Sequence, residues 1–420
     1  MIIRSIGLQD FRGIASLDIP VDEKLTVMVG ANGVGKTSVL DAISHLLMPL
    51  RSFGASAREN DNHRDKTRFN STDISLDRSK LFIRARIRAK NTDGETFERV
   101  VELTHNRTKN SPAFPYQDLI WPQEFASSDH PLFVYYRQDR GFKLNSRSRD
   151  PNAISEIFAR RQSLSEDRCA ISDLSEWWDE RDIREARHVR DRDAGFRDPQ
   201  LEALRKLVAE IDEFEGIEYD ASSNPSGLYL KKSPGRRLHI GQLSSGERVY
   251  LVLLADLARR LQTIQPKKKL AEIPGIVLID EIELNLHPKR QRQIIPTLTK
   301  VFKSCQFIVT THSPQVLGEV KSDCVRILRR NRDHEIEFIS YRSETYGRDS
   351  NDMLIKVLGA AERDVATKEN LSELGKLIGE GEPEKARELL ESLRSELGGD
   401  FVELDIAERR LKRREKASDN

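Results

Sequence analysis

Apolar and polar positions alternate through Ile3, Ser5 and Leu8 and again through Ala15, Leu17 and Ile19, before an apolar run from Leu25 to Val29. This period of two predicts a hairpin that feeds a buried strand. The period then changes. Over Lys36 to Leu47 the apolar residues Val39, Leu40, Ile43, Leu46 and Leu47 fall at helical spacing. Residues 51 to 79 are polar and charged, with Gly54 among many Arg, Asp, Asn and Ser, which predicts an exposed loop. Strand-like runs return at Leu81 to Ile87, Glu98 to Leu103 and Leu132 to Tyr136.

From about residue 150 to 235 the pattern reads as helical and highly charged, anchored by Trp177 and Trp178 and without sustained heptads. A long coiled-coil arm does not fit. The α/β pattern resumes at Leu238, with a helical stretch from Arg248 to Leu261 and apolar strands at Ile276 to Ile279 and Gln306 to Val309. After a change of character near Tyr346 and Gly347, the tail reads as helical. Ala386, Leu389, Leu390, Leu393 and Leu397 form one stripe, ended by Gly398 and Gly399. The expected organisation is an α/β head in two lobes, residues 1–150 and 236–345, a helical insertion at 151–235 and a helical interaction domain at 346–420.

Composition narrows the class without naming a partner. The chain has 420 residues, 33% charged and 37% hydrophobic, the balance of a soluble globular protein with an ordinary core. No apolar stretch approaches the roughly 20 residues that span a bilayer, so a cytoplasmic protein is expected. The 69 basic residues face 68 acidic ones, and any nucleic-acid footprint must therefore be local. Cys169, Cys305 and Cys324 are odd in number and lack metal-ligand spacing, which points to free thiols.

Four strings carry candidate chemistry. In GANGVGKT, Gly30 to Thr37, the glycines Gly30, Gly33 and Gly35 let backbone N–H groups turn toward phosphates, Lys36 reaches the β and γ phosphates, and Thr37 ligates Mg²⁺. Asn32 and Ser38 belong to the same nucleotide-contacting set. In IVLIDE, a buried strand delivers Asp280 to hold Mg²⁺ and Glu281 to orient and deprotonate water. In TTHSP, His312 follows a second strand and is placed to donate to the γ phosphate. LSSGER opens a helix, so that Ser244, Ser245 and Gly246 offer N–H groups and a hydroxyl to an anion. Gln138, after the strand ending at Tyr136, is a candidate contact to Mg²⁺ or to the attacking water. ATP and Mg²⁺ are the expected ligands.

With DFRG, Asp10 to Gly13, these strings resemble the ABC-type ATPase heads of the RecF, SMC and OLD-like group over residues 1 to 40 and 238 to 318. The resemblance implies that Arg12 lies near the nucleotide and that the 244–246 turn of one protomer caps ATP held by a second in an ATP-sandwich homodimer. It also implies that EIELNLHP, Glu281 to Pro288, signals across that dimer. Ser245 stands where the commoner signature has glycine, and Asn285 where many relatives have histidine.

The compact head, the absence of long arms and of an evident acidic nuclease domain after the head, and the YGRDSN entry to the tail most resemble the ATPase subunits of Septu-type antiphage systems, whose relatives include retron effectors. That resemblance implies a separate HNH-type nuclease subunit as partner, contact with nucleic acid directly or through it, and a reverse transcriptase with its DNA product if a retron is involved. The alternative is a RecF-like repair ATPase acting directly on DNA through Arg51, Arg58, Arg64, Lys66 and Arg68, or through Lys231, Lys232, Arg236 and Arg237. Acidic residues interrupt most such runs. The basic tail residues Arg409, Arg410, Lys412, Arg413, Arg414 and Lys416 are a further candidate contact.

Overall fold

The computed structural model describes residues 1–48, 71–90, 94–106, 131–138, 171–340, 345–347, 353, 365–397 and 402–418. The chain falls into two compact units, Met1–Met353 and Leu354–Asn420.

In the first unit the expected hairpin forms from β1 (Ile2–Phe11) and β2 (Ile14–Pro20), followed by β3 (Leu25–Val29) and helix α1 (Lys36–Leu47). The strands β4 (Lys80–Lys90), β5 (Thr96–Asn106) and β6 (Leu132–Tyr136) match the strand-like runs. An antiparallel sheet in the order β2-β1-β4-β5 forms one layer. Along β4, Leu81, Ile83, Ala85, Ile87 and Ala89 are buried while Lys80, Arg84, Arg86 and Lys90 are exposed. Water on one face and core on the other produce that alternation.

The second sheet takes β10 (Gly275–Ile279), β11 (Cys305–Thr310), β12 (Val325–Arg330) and β13 (Ile336–Ser340), in the order β13-β12-β3-β11-β10-β6. It is parallel except for the β12 and β13 pair. Every residue of β3, β6, β10 and β11 is buried, as the strands of a sheet covered on both faces must be. Leu40, Ile43 and Leu47 of α1 share a core with Ile83 of the first sheet and with Tyr135, Ile276 and Ile308 of the second. The side chain of Gln306 on β11 joins the two layers by polar means. Its amide donates to the Ile3 and Asp22 carbonyls (2.7 Å each) and its Oε1 accepts from the Ile3 N–H (2.8 Å).

The expected helical insertion is only partly helical. Helices α2 (Ile171–Asp191) and α3 (Pro199–Ala209) form, and Trp177 and Trp178 are buried as anticipated. Beyond them, β7 (Phe214–Asp220) and β8 (Gly227–Lys232) pair with β9 (Arg236–His239) in a third, antiparallel sheet. Buried apolar residues hold this sheet, Phe214 and Ile217 on β7 across a register shift between Phe214 and Gly216, and Leu228 and Leu230 on β8. Between the strands, the Asp220 carboxylate accepts from the Ser222 and Ser223 N–H groups (2.8 and 3.0 Å), a turn closed by a side chain.

Helix α4 (Ser245–Ile264) is buried over most of its length, with α5 (Pro288–Val301) and the one-turn α6 (Pro314–Leu317) following later in the chain. Inside α4, Asp256 is 3% exposed and accepts from Arg259 (2.7 Å), Arg260 (2.6 Å) and the Tyr136 hydroxyl (2.9 Å). Burial alone would raise the Asp256 pKa, but Arg260 and Arg259 outweigh it and hold the group well below its ordinary value. Because the folded value is depressed, its contribution to stability is present above the ordinary carboxylate range and is lost as the pH falls below it. Asp256→Ala removes the carboxylate shared by two buried guanidinium groups and is expected to cost about 3–5 kcal/mol, read as a lower denaturant midpoint.

The second unit holds helices α7 (Val365–Glu380), α8 (Pro383–Leu397) and α9 (Val402–Ser418). Ala386, Leu390 and Leu393 of the expected stripe enter a core with Leu374, Ile378, Leu404 and Leu411, and Leu389 packs against it. Gly398, Gly399, Cys169 and the Arg51 to Arg68 cluster lie outside the described residues, as do the side chains of Leu397, Arg414 and Lys416. Among the described residues no helix is long and apolar enough to cross a membrane.

Candidate functional site

The parallel strand order decides the site. Strand β11 lies between β3 and β10, so the glycine loop after β3, the carboxylates after β10 and the threonines at the end of β11 emerge on one sheet edge. Such an edge, at the carboxyl ends of parallel strands, is where open α/β sheets take ligands.

At the start of the loop only glycine fits. Gly30 has φ 150°, and a Cβ there would lie 2.2 Å from the Leu328 carbonyl oxygen. Gly35, at φ 94°, turns the chain into α1. Asn32 and Gly33 are exposed at the loop tip, and Ser38 is half-buried in the first turn of α1. The Lys36 side chain folds back over the loop, its ammonium donating to the Gly30 and Ala31 carbonyls (2.9 and 3.0 Å). Burial lowers its pKa, and Asp280, Glu281 and Glu283 oppose that shift.

One turn of side chains joins the three strand ends. The exposed Thr37 donates its hydroxyl to Asp280 Oδ2 at 2.8 Å, and Thr310 donates to Asp280 Oδ1 at 2.5 Å. Asp280 is buried, with its N–H on the Tyr136 carbonyl (2.8 Å). The Glu281 N–H donates to the Thr310 hydroxyl (2.7 Å), which holds this non-glycine residue at φ 46°. Positive φ in a residue with a Cβ is a strained geometry that surrounding bonds must impose. Two residues on, Glu283 accepts from the Thr311 hydroxyl (2.7 Å) and the His312 N–H (2.5 Å). The half-buried His312 imidazole has a lowered pKa, mainly through burial and then through Lys36, against the opposing pull of Glu283, Glu281 and Asp280. The ring is therefore neutral at neutral pH and has one N–H to donate.

A second charged cluster flanks α1. Arg12, at φ 53°, donates to Asp41 Oδ2 (2.6 Å) and Asp73 Oδ1 (2.8 Å), while Arg137 donates to Asp41 Oδ1 (2.7 Å). Burial opposes the charge of Arg12, but Asp41 and Asp73 outweigh it and raise its pKa. Asp41 is buried one turn beyond Thr37 and so ties two arginines to the helix that the glycine loop opens. Gln138 is exposed beyond the end of β6, next to Arg137 and on the same sheet edge as Asp280.

Ser244 to Gly246 open α4. Ser244 caps α4, its N–H and hydroxyl donating to Glu247 Oε2 (3.0 and 2.8 Å). Ser244 and Ser245 are exposed and Gly246 is buried, and none of the bonds described for this turn reaches the glycine loop. A Cβ on Gly246 would sit 3.1 Å from the Asn285 carbonyl oxygen and 3.3 Å from the His287 nitrogen. The turn therefore rests on the loop that follows Glu281, and a Cβ there would require that loop to give by a few tenths of an ångström.

The sequence motifs single out Lys36, Thr37, Asp280, Glu281 and His312, and the fold gathers them at one edge. The motifs give no role to Thr310, Glu283, Asp41, Asp73 and Arg137, which the fold adds. Asp41 carried a signal, since an acid at a buried position of an apolar helix face requires a partner. The basic run on β8 and β9 is largely neutralised: Lys231 pairs with Glu218, Lys232 with Glu247 and Glu213, and Arg237 with Glu218 and Asp220.

A glycine loop opening a helix, a hydroxyl and carboxylate pair across from it, and a parallel sheet with the β11 strand inserted define an ABC-like P-loop ATPase head. The family model described as "AAA domain, putative AbiEii toxin, Type IV TA system" matches residues 25–318, more than half of the chain, and the chain belongs to that family. Membership implies ATP binding. The chain is 27% identical to the "Retron Ec83 probable ATPase" of Escherichia coli, over 79% of this chain and 72% of that protein. It is 25% identical to the "Retron Vc95 probable ATPase" of Vibrio cholerae serotype O1 biovar El Tor, over 84% and 78%. It is also similar to the Septu protein PtuA of Bacillus thuringiensis, at 22% identity over 76% of this chain and 73% of the relative.

Proposed function

We propose that this chain binds and hydrolyses ATP as the regulatory subunit of an antiphage defence complex, forming an ATP-sandwich homodimer that controls a separate HNH-type nuclease subunit. The observation that carries the ATPase reading is the 2.8 Å bond from Thr37 to Asp280, with Glu281 as the next residue. A hydroxyl and a carboxylate are hard oxygen donors, the pair that suits Mg²⁺. When bound there, the ion supplies charge neutralisation at the phosphate oxygens. Lys36 leaves the Gly30 and Ala31 carbonyls for the phosphates, backbone N–H groups of the glycine loop orient them, Glu281 takes a proton from the attacking water, and neutral His312 donates to a γ-phosphate oxygen.

The dimer is supported by the exposed Ser244 turn, which offers a helix N-terminus to a phosphate group from outside the protomer. The defence role is supported by the similarity to the retron and Septu proteins. Where the system includes a retron, a reverse transcriptase and its DNA product join the complex. The ion pairs on Lys231, Lys232 and Arg237 leave little free charge for a direct DNA grip on that sheet, which favours the defence reading over a repair ATPase.

The test is co-purification of the chain with the product of its genomic neighbour, assayed for cleavage of DNA and RNA across a range of ATP concentrations. Nucleotide-dependent cleavage is the expected result. Robust ATPase activity with no stable partner and no cleavage transfers the reading to DNA maintenance.

A further inference from the structure

The loop after β10 and the loop after β11 are bonded to each other residue by residue. Asp280 accepts from the Thr310 hydroxyl, Glu281 donates its N–H to the same oxygen, and Ile282 donates its N–H to the Thr310 carbonyl (3.0 Å). The fourth step uses a side chain, with one oxygen of Glu283 taking the Thr311 hydroxyl and the other the His312 N–H. Both ends of this contact are rigid. Thr311 is fully buried, its N–H donates to the Met28 carbonyl of β3 (3.1 Å), and its hydroxyl accepts from the Ser313 N–H (3.0 Å). On the other side, Leu284 N–H bonds the Glu281 carbonyl and Leu286 N–H bonds the Glu283 carbonyl, each at 2.9 Å.

We propose that Glu283 is a positioning residue for the ATPase reaction, fixing the His312 peptide so that its imidazole is aimed at the terminal phosphate. The proposal rests on the ATPase reading above. A carboxylate with one oxygen on a hydroxyl and the other on an N–H sets both position and orientation of the 311–312 peptide, as two parallel charge-assisted bonds do. The bonds of Thr311 and Ser313 hold the chain on either side of His312, and the bond described for the His312 N–H itself is the one to Glu283. Glu283 touches neither phosphate nor water in this scheme and acts through His312.

The experiment is a double-mutant cycle on the full chain with Glu283→Gln and His312→Ala, each alone and together. Gln keeps the volume and one acceptor, but it sets an NH₂ against one of the two donors. In steady-state hydrolysis, Glu283→Gln is expected to lower kcat about tenfold with the KM for ATP within about twofold, and to have almost no further effect once His312 is Ala. Loss of the carboxylate's field alone would act equally in both backgrounds. Equal fold losses with and without His312, or an unchanged kcat, would overturn the proposal.

A second measurement is independent of turnover. With Glu281→Gln as the parent, the ATP-over-ADP affinity ratio is expected to fall by about the same factor in Glu283→Gln, His312→Ala and the double variant. A larger fall in the double variant overturns the role of Glu283. Absent Glu281-dependent hydrolysis in the unmutated chain would refute the ATPase reading instead, and the binding cycle would still decide Glu283.

Discussion

Glu281→Gln is expected to leave ATP binding intact and to slow its hydrolysis by about 10²–10⁴-fold, the range that a positioned general base contributes. The local structure makes this a clean substitution. The backbone at φ 46° is held by the Glu281 N–H on Thr310 and the Ile282 N–H on the Thr310 carbonyl, neither of which involves the carboxylate. Gln has the same shape and cannot take a proton from water. Asp280 and Thr37 keep their bond, so the site that the reading gives to Mg²⁺ survives. With turnover blocked, the proposed ATP-bound dimer is expected to accumulate. Single-turnover hydrolysis and size-exclusion chromatography with ATP measure the two halves of the prediction. Hydrolysis by Glu281→Gln at the unmutated rate would assign the proton transfer to another group.

Lys36→Ala is expected to weaken ATP binding by roughly 100-fold or more, about 2.7 kcal/mol, because it removes a charge-assisted contact and alters the field of the site. Lys36 is 6% exposed and faces Asp280, Glu281 and Glu283. Without it, three carboxylates have lost a facing cation and repel an incoming polyphosphate. The Gly30 and Ala31 carbonyls lose their ammonium donor, for which a stability loss of about 1–3 kcal/mol is expected. Calorimetric titration with ATP and a thermal melt separate binding from folding. Binding of ATP as tight as in the unmutated chain would remove Lys36 from the phosphate site.

These two residues were legible in the amino-acid sequence because their signals are local. A glycine loop between an apolar strand and an amphipathic helix needs only eight successive residues, and the positive-φ backbone that it uses at Gly30 and Gly35 favours glycine. The buried strand before Asp280 and the helix after Ser244 are likewise written in short-range periodicity. So is the stripe of α8, whose Ala386, Leu390 and Leu393 all reach the core.

The sheet of β7, β8 and β9 leaves only a weak trace in the chain: Leu228 and Leu230 are two apart, but Phe214 and Ile217 are three apart because the pairing shifts register between Phe214 and Gly216. A high charge density concealed it, since charged residues occupy the outward positions of a strand as readily as a helix surface. Other features have no local trace. Glu283 lies 28 residues from Thr311, and Asp41 lies 96 from Arg137. A carboxylate near a strand end is ordinary in sequence and acquires its partners only when β11 inserts between β3 and β10. Sequence by itself therefore determined the elements around the site, the phosphate loop and the carboxylate pair, because backbone conformation and burial period are set by neighbours along the chain. Only the tertiary structure decided which hydroxyl meets which carboxylate, what clamps Arg12, and that the Ser244 turn rests on the loop after Glu281, because strand order and close packing bring together residues that no spacing connects.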